Sequence, residues 1–200
     1  MTTPDTTVRT GQHLDAADTP EIVRSPAATF VSVSGSGRPG TEGFYRKKRL
    51  VSDVAGALPG DHDPTVVELL YWFPETAERV EIADFYWVNP IDDLQYRVLV
   101  RVPDGTPTEE VGVARRTAAS KADTGEEIEV FSLPERTVVQ LMHHGPFADE
   151  VHTLGTLGAF ARERGLRRSG PHHEIHLDDF GPETPQETLR TILRDPVSVG

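Results

Sequence analysis

Two glutamates stand in segments whose residue types could hold a cation or move a proton. Glu68 lies in Val67-Glu68-Leu69-Leu70-Tyr71-Trp72, and Glu174 lies in His172-His173-Glu174-Ile175-His176. Both segments read as strands, and a strand sends alternate side chains to opposite faces. Glu68 then shares a face with Leu70 and Trp72, and Glu174 with His172 and His176. A carboxylate beside aromatic walls is a receptor for a planar cation, joining ion pairing to cation–π attraction. Partial burial also raises a carboxyl's pKa, which suits general acid–base work. The candidate catalytic residues are thus Glu174, Glu68 and His176. The candidate ligand contacts are Glu68, Tyr71, Trp72, Tyr86, Trp87, His172, Glu174 and His176. For each aromatic the competing reading is a place in the core or at its rim.

Other constellations carry less. His172, Glu174 and His176 form an H-x-E-x-H pattern that could share a metal with His143 or His144, since zinc takes such nitrogen and oxygen ligands. Period-two polar spacing is common on any strand face, so no metal and no cofactor is expected. His143-His144-Gly145-Pro146 reads instead as a turn into a helix. Ser132 and Ser169 lack the strained turn that exposes a nucleophile. The run Gly35-Ser36-Gly37-Arg38-Pro39-Gly40 has no lysine and the wrong spacing for a phosphate loop.

The elements that must position the two glutamates repeat along the chain. Pro26, Thr29, Val31 and Gly37 recur 108 residues later as Pro134, Thr137, Val139 and Gly145. Val67-Glu68-Leu69 matches His173-Glu174-Ile175 at 106, and Arg97 to Pro103 matches Arg190 to Pro196 at 93. Three blocks in one order, with slowly drifting spacing, read as a duplicated unit. The expectation is an α+β domain of two strand-helix-strand-strand modules about a pseudo-twofold axis. Antiparallel sheets would flank a ligand cleft between the halves, with Glu68 and Glu174 both facing it.

In detail, residues 1–20 lack an apolar period and read as a disordered tail. The first module covers about 21–103: a strand from Ile22 to Ser34, and a helix capped by Thr41 and running to about Leu58. Strands follow at Thr65 to Phe73 and Tyr96 to Val102, with Val80 to Val88 a further strand or extended segment. Thr106-Pro107-Thr108-Glu109 has capping-box spacing and opens a connecting helix over about 106–121. The second module, about 126–197, holds a strand from Ile128 to Met142 that breaks at Leu133-Pro134. A helix follows from Ala148 to Arg164, ended by Gly165, and then strands at His172 to Leu177 and Leu189 to Leu193.

Composition narrows the function classes. Two hundred residues suffice for a core without staples, and the absence of cysteine excludes disulfides and thiolate sites. A formal charge of −12 argues against nucleic acid and favours cationic partners. The basic clusters Arg46 to Arg49 and Arg162 to Arg168 read as solvated helix faces. No secretory signal and no membrane-spanning run is visible, so a cytoplasmic protein is expected.

The run Val139-Gln140-Leu141-Met142-His143-His144-Gly145-Pro146-Phe147 with Glu150, then His172 to Asp179, Pro185 and Leu189 to Val197, resembles the GyrI-like small-molecule-binding domain. This is the effector-binding domain of multidrug-sensing bacterial regulators. Glu68-Leu69-Leu70-Tyr71-Trp72 is a looser match to that family's first-half strand. The resemblance covers about residues 21–197. It implies two strand-helix-strand-strand modules whose cleft binds hydrophobic, often cationic, aromatic compounds, with Glu174 contacting the ligand. It also implies an alternative, since some stand-alone members hydrolyse the cyclopropane ring of DNA-alkylating natural products. His176 stands where the family commonly has tyrosine. The twenty residues before the first strand are too few for a helix-turn-helix domain, so a stand-alone xenobiotic-binding protein is expected. A gyrase-inhibitor type of protein–protein module is the third reading, and a protein partner is left open.

Overall fold

The computed structural model describes residues 8–118 and 125–200. Its ten strands are β1 (Arg9–Thr10), β2 (Glu21–Ser25), β3 (Ala28–Ser36), β4 (Val67–Trp72), β5 (Gln95–Val102), β6 (Glu129–Leu133), β7 (Arg136–His144), β8 (Leu166–Arg168), β9 (His172–His176) and β10 (Arg190–Val199). Three helices accompany them: α1 (Glu42–Gly56), α2 (Thr108–Ala118) and α3 (Glu150–Glu163). The strands form one curled sheet in the order β1-β2-β7-β10-β9-β4-β5-β3-β6, with β8 against β10. All pairings are antiparallel except β1 with β2. The class is α+β.

Residues directly opposite one another in an antiparallel ladder point to the same side. Following the register across the sheet therefore sorts every strand residue onto one of two faces. Val31, Val33, Leu69, Tyr71, Tyr96, Val98, Val100, Val139, Leu141 and Leu193 share the face that packs on the helices. Phe30, Leu70, Leu99, Ile175 and Ile192 line the other face in two smaller clusters. Both faces are buried, so their strands read as nearly continuous apolar runs rather than as clean alternation.

Helix positions follow from local chemistry. The Thr41 hydroxyl accepts the Phe44 N–H at 3.3 Å and starts α1, whose Phe44, Leu50, Val51, Val54 and Ala55 turn inward. Leu154, Leu157 and Ala161 do the same for α3. Gly158 of α3 is pressed against a short 3-10 turn, Ile82–Asp84; a Cβ there would sit 2.7 Å from Ala83. That approach, open only to glycine, anchors the segment that brings Tyr86 over the sheet.

Several expectations change. The strand anticipated from Ile22 to Ser34 is two strands, β2 and β3, parted at Pro26-Ala27, because proline cannot donate to a ladder. Val80 to Val88 contains the 3-10 turn instead of a strand. The break at Leu133-Pro134 separates β6 from β7. The connecting helix is seen as Thr108–Ala118; its anticipated end at residues 119–121 lies outside the described residues, as do residues 1–7 of the tail. From residue 8 the tail is ordered. Arg9–Thr10 pairs with Val23-Arg24, and His13 is buried. Polar contacts, which leave no apolar period, hold this segment down.

Candidate functional site

The register of β4 against β9 decides which side chains meet. Leu69 faces Glu174, Val67 faces His176 and Tyr71 faces His172, whereas Glu68 faces Ile175 and Leu70 faces His173. Glu174 and Glu68 thus project from opposite faces of the sheet. The expectation that both line one cleft is corrected: Glu68 has no part in the site that Glu174 forms. Each glutamate anchors its own polar cluster.

On the face away from the helices, Glu68 is 0 % exposed. His13 Nε2–H donates to its Oε1 at 2.6 Å and His173 Nε2–H to its Oε2 at 2.7 Å. Arg136 donates to His173 Nδ1 at 2.7 Å, which fixes that ring as the Nε2–H tautomer. Burial, with Arg136 and Arg194 nearby, drives the His173 pKa down to about 3. Burial pushes the Glu68 carboxyl up, but His13 and His173 outweigh it and hold it well below the usual carboxylate range. Arg194 closes the cluster by donating to Gln140 at 2.8 Å and to the His13 carbonyl at 2.9 Å. This is a sealed structural network.

On the helix face, Glu174 opens onto a cavity of about 370 Å³. Leu69 and Tyr71 of β4, Phe44 and Tyr45 of α1, and Glu150 and Val151 of α3 line it. Loop residues Tyr86, Ile91, Phe147 and Phe180 complete the wall, with His176 beside Glu174. His176 stacks on Phe180 at 4.4 Å between ring centroids and meets Phe147 edge-on at 5.2 Å. The Tyr86 hydroxyl donates to Glu174 Oε1 at 2.5 Å. Burial and the Glu174 charge hold the Tyr86 pKa well above 10, so it remains a donor.

Below the cavity floor the His172 ring is 0 % exposed; its Nδ1–H donates to Asp195 Oδ2 at 2.9 Å, and its Nε2 lies 3.5 Å from Glu174 Oε1. Burial lowers the His172 pKa, yet Asp195 and then Glu174 raise it to about 9, so the ring is an imidazolium at neutral pH. His176 Nε2 lies 3.3 Å from Glu174 Oε2. Burial raises the Glu174 carboxyl, but His172 and His176 overcome that and hold it well below the usual range. The floor of the cavity is therefore an ionised carboxylate. Its histidine contacts have ion-pair spacing and lack aligned hydrogen bonds: the Nε2 atoms of both rings have no hydrogen-bond partner.

Of the residues singled out in the sequence, Tyr71, Tyr86, Glu174 and His176 line the cavity, and His172 lies directly beneath it. Trp72 projects with Glu68 toward the other face and packs against Phe30, Leu70 and Leu99. Trp87 is 70 % exposed and lies off the cavity wall. His143 bonds Thr153 and the Pro146 carbonyl, ordering the turn. Among the described residues no group of three or more histidines and carboxylates is placed to hold a metal, and no helix is long and apolar enough to cross a membrane. Sequence reasoning missed the site roles of Glu150, Phe147, Phe180, Phe44 and Tyr45. Glu150 had a signal: with Leu154, Leu157 and Ala161 it falls on the buried side of α3, where an acid is out of place.

Comparison with solved structures gives the same fold at full length. An uncharacterized conserved protein from Listeria innocua is 28 % identical with a TM-score of 0.73, covering 91 % of this chain and 93 % of that one. A hydrolase from Listeria innocua is 26 % identical with a TM-score of 0.71, covering 92 % and 94 %. The C-terminal domain of EcmrR shares the fold at 13 % identity and a TM-score of 0.61, covering 90 % and 98 %. No curated protein matches the chain. The family model of the GyrI-like small-molecule-binding domain matches residues 18–197, nearly the whole length, and the chain belongs to that family.

Proposed function

We propose that this domain binds hydrophobic, planar, cationic small molecules in the cavity above Glu174. The observation that carries the reading is a single ionised carboxylate at the floor of an aromatic-walled cavity of about 370 Å³. Such a floor neutralises a delocalised cation while Tyr71, Tyr86, Phe147 and Phe180 stack on its rings. The chain's own charge of −12 adds a long-range attraction for cations. Sequestration or sensing of xenobiotics in the cytoplasm, alone or through a protein partner, follows from such binding.

A second reading is hydrolysis of cyclopropane-bearing alkylators; the 26 %-identical Listeria protein, described as a hydrolase, supports hydrolysis without naming a substrate. Glu174 would take a proton from water as the water oxygen bonds the ring methylene. The broken carbon–carbon bond would pass its electrons to a conjugated carbonyl oxygen, protonated by Tyr86 or His176. The depressed pKa of Glu174 weighs against this, because a carboxylate so well stabilised is a weak base. Binding is the better-supported function.

We further propose that the fold is a duplication in which β3, β4 and β5 correspond to β7, β9 and β10. The central sheet order β7-β10-β9-β4-β5-β3 reads the same from either end under that exchange, which supports it.

Rhodamine 6G titrated against wild type and Glu174→Gln tests the binding reading. Saturable binding to wild type, weakened at least tenfold in Glu174→Gln, is expected; no binding to wild type would overturn it. Incubation with a cyclopropane-bearing alkylator, read by mass spectrometry for added water, decides the second reading.

A further inference from the structure

Glu150 is the one acid in the cavity that neither reading uses. It stands in the first turn of α3, lines the same cavity as Glu174, and is 4 % exposed against 3 % for Glu174. Its carboxyl is close enough to Glu174 for their charges to repel, and its Oε1 finds no hydrogen-bond partner in the protein. An acceptor buried without a donor is costly. Two carboxylates facing each other in one apolar cavity cannot both be ionised. A proton on Glu150, donated to Glu174, removes both difficulties at once.

The surrounding charges agree with that assignment. From β9, His172 and His176 face Glu174 and stabilise its ionised form. From β10, Asp195 holds His172 and Thr191 faces Glu150. Tyr86 and Tyr71 bring neutral phenols, and Lys48 of α1 lies behind Phe180, 4.6 Å from its ring centre, and is paired with Asp179. Among the described residues no cation faces Glu150 itself. Burial, and then the charge of Glu174, push its carboxyl well above the usual range.

We propose that Glu150 and Glu174 hold one proton between them when the cavity is empty, and that a cation entering the cavity expels it. Glu150 then sets how much positive charge the site accepts: one charge answered by Glu174, and a second by Glu150 once its proton has left. This rests on the cation-binding reading and deepens it. The linked sign is fixed. Binding favours the ionised form of Glu150, so affinity rises with pH while the empty pair keeps its proton and the filled pair has lost it, by at most about tenfold per pH unit for one proton.

Isothermal titration of rhodamine 6G and of the planar dication propidium, each in phosphate and in Tris at one pH, counts the protons. The expected result is a binding enthalpy that differs between buffers, more for propidium than for rhodamine 6G. In Glu150→Gln, which mimics the protonated acid, the difference is lost and the affinity for propidium falls more than that for rhodamine 6G. A wild-type enthalpy equal in both buffers would overturn the proposal while leaving the cation-binding reading intact. So would a buffer difference that persists in a folded Glu150→Gln, which would assign the proton to a histidine. Failure of wild type to bind either dye would instead remove the cation-binding reading itself.

Discussion

Two strands meet at the centre of this sheet, and each of their faces carries a glutamate between histidines, yet the two sites are opposites. Around Glu68 every carboxylate oxygen has an N–H at 2.6–2.7 Å, and His13 lies over it from the N-terminal segment. Around Glu174 the histidines stand off at 3.3–3.5 Å, the one short partner is a phenol on a loop, and a cavity opens above. The residue types barely differ; what covers the face does. A buried charge with complete partners fixes a fold, whereas one with loose partners and open space beside it can accept a new one.

The sharpest way to test the contrast is to remove each carboxylate. Glu68→Ala leaves the buried His13 and His173 rings without their acceptor and buried Arg194 without a nearby anion, and stability is expected to fall by about 3–5 kcal/mol in urea melts. Loss of rhodamine 6G binding by an otherwise folded Glu68→Ala would show that the faces are not independent. On the other side, His172 has a pKa of about 9 against 6.5 in an unfolded chain. Folding therefore favours its imidazolium form, and that stabilisation is complete below pH 6.5 and lost as pH rises through 9. It amounts to no more than about 3 kcal/mol. The urea midpoint of wild type is expected to drop across that window, and that of Asp195→Asn to drop less.

Glu174→Gln should weaken rhodamine 6G binding by tenfold to a hundredfold, about 1.4–2.8 kcal/mol, with a smaller cost in stability than Glu68→Ala. An equal or larger stability loss would erase the distinction between anchoring and receiving carboxylates. The smallest effect belongs to Trp87→Ala. With the indole 70 % exposed and off the cavity wall, stability should stay within about 0.5 kcal/mol and dye affinity should not change.

The α+β class, the capped start of α1 and the break between β6 and β7 were legible because each rests on local chemistry: Thr41, Pro134 and apolar spacing. The shared cleft failed through parity. Matching Glu68 to Glu174 uses a spacing of 106, but odd positions of β4 lie on the face of even positions of β9, so only an odd spacing keeps a side chain on its face. The spacings of 108 for β3 with β7, and 93 for β5 with β10, do preserve the face. Likeness of the residues around the two glutamates therefore carried no information about the face each one takes. Phe147 and Phe180 were invisible for another reason: isolated aromatics in loops have no period, and only tertiary structure brings them beside His176.

The hydrogen bond from Arg194 to the His13 carbonyl joins residues 181 positions apart. Contacts of such separation form late, after the intervening chain has already been ordered. In refolding, the segment carrying His13 is therefore expected to seat late, over a sheet already paired, and to close the Glu68 pocket only then.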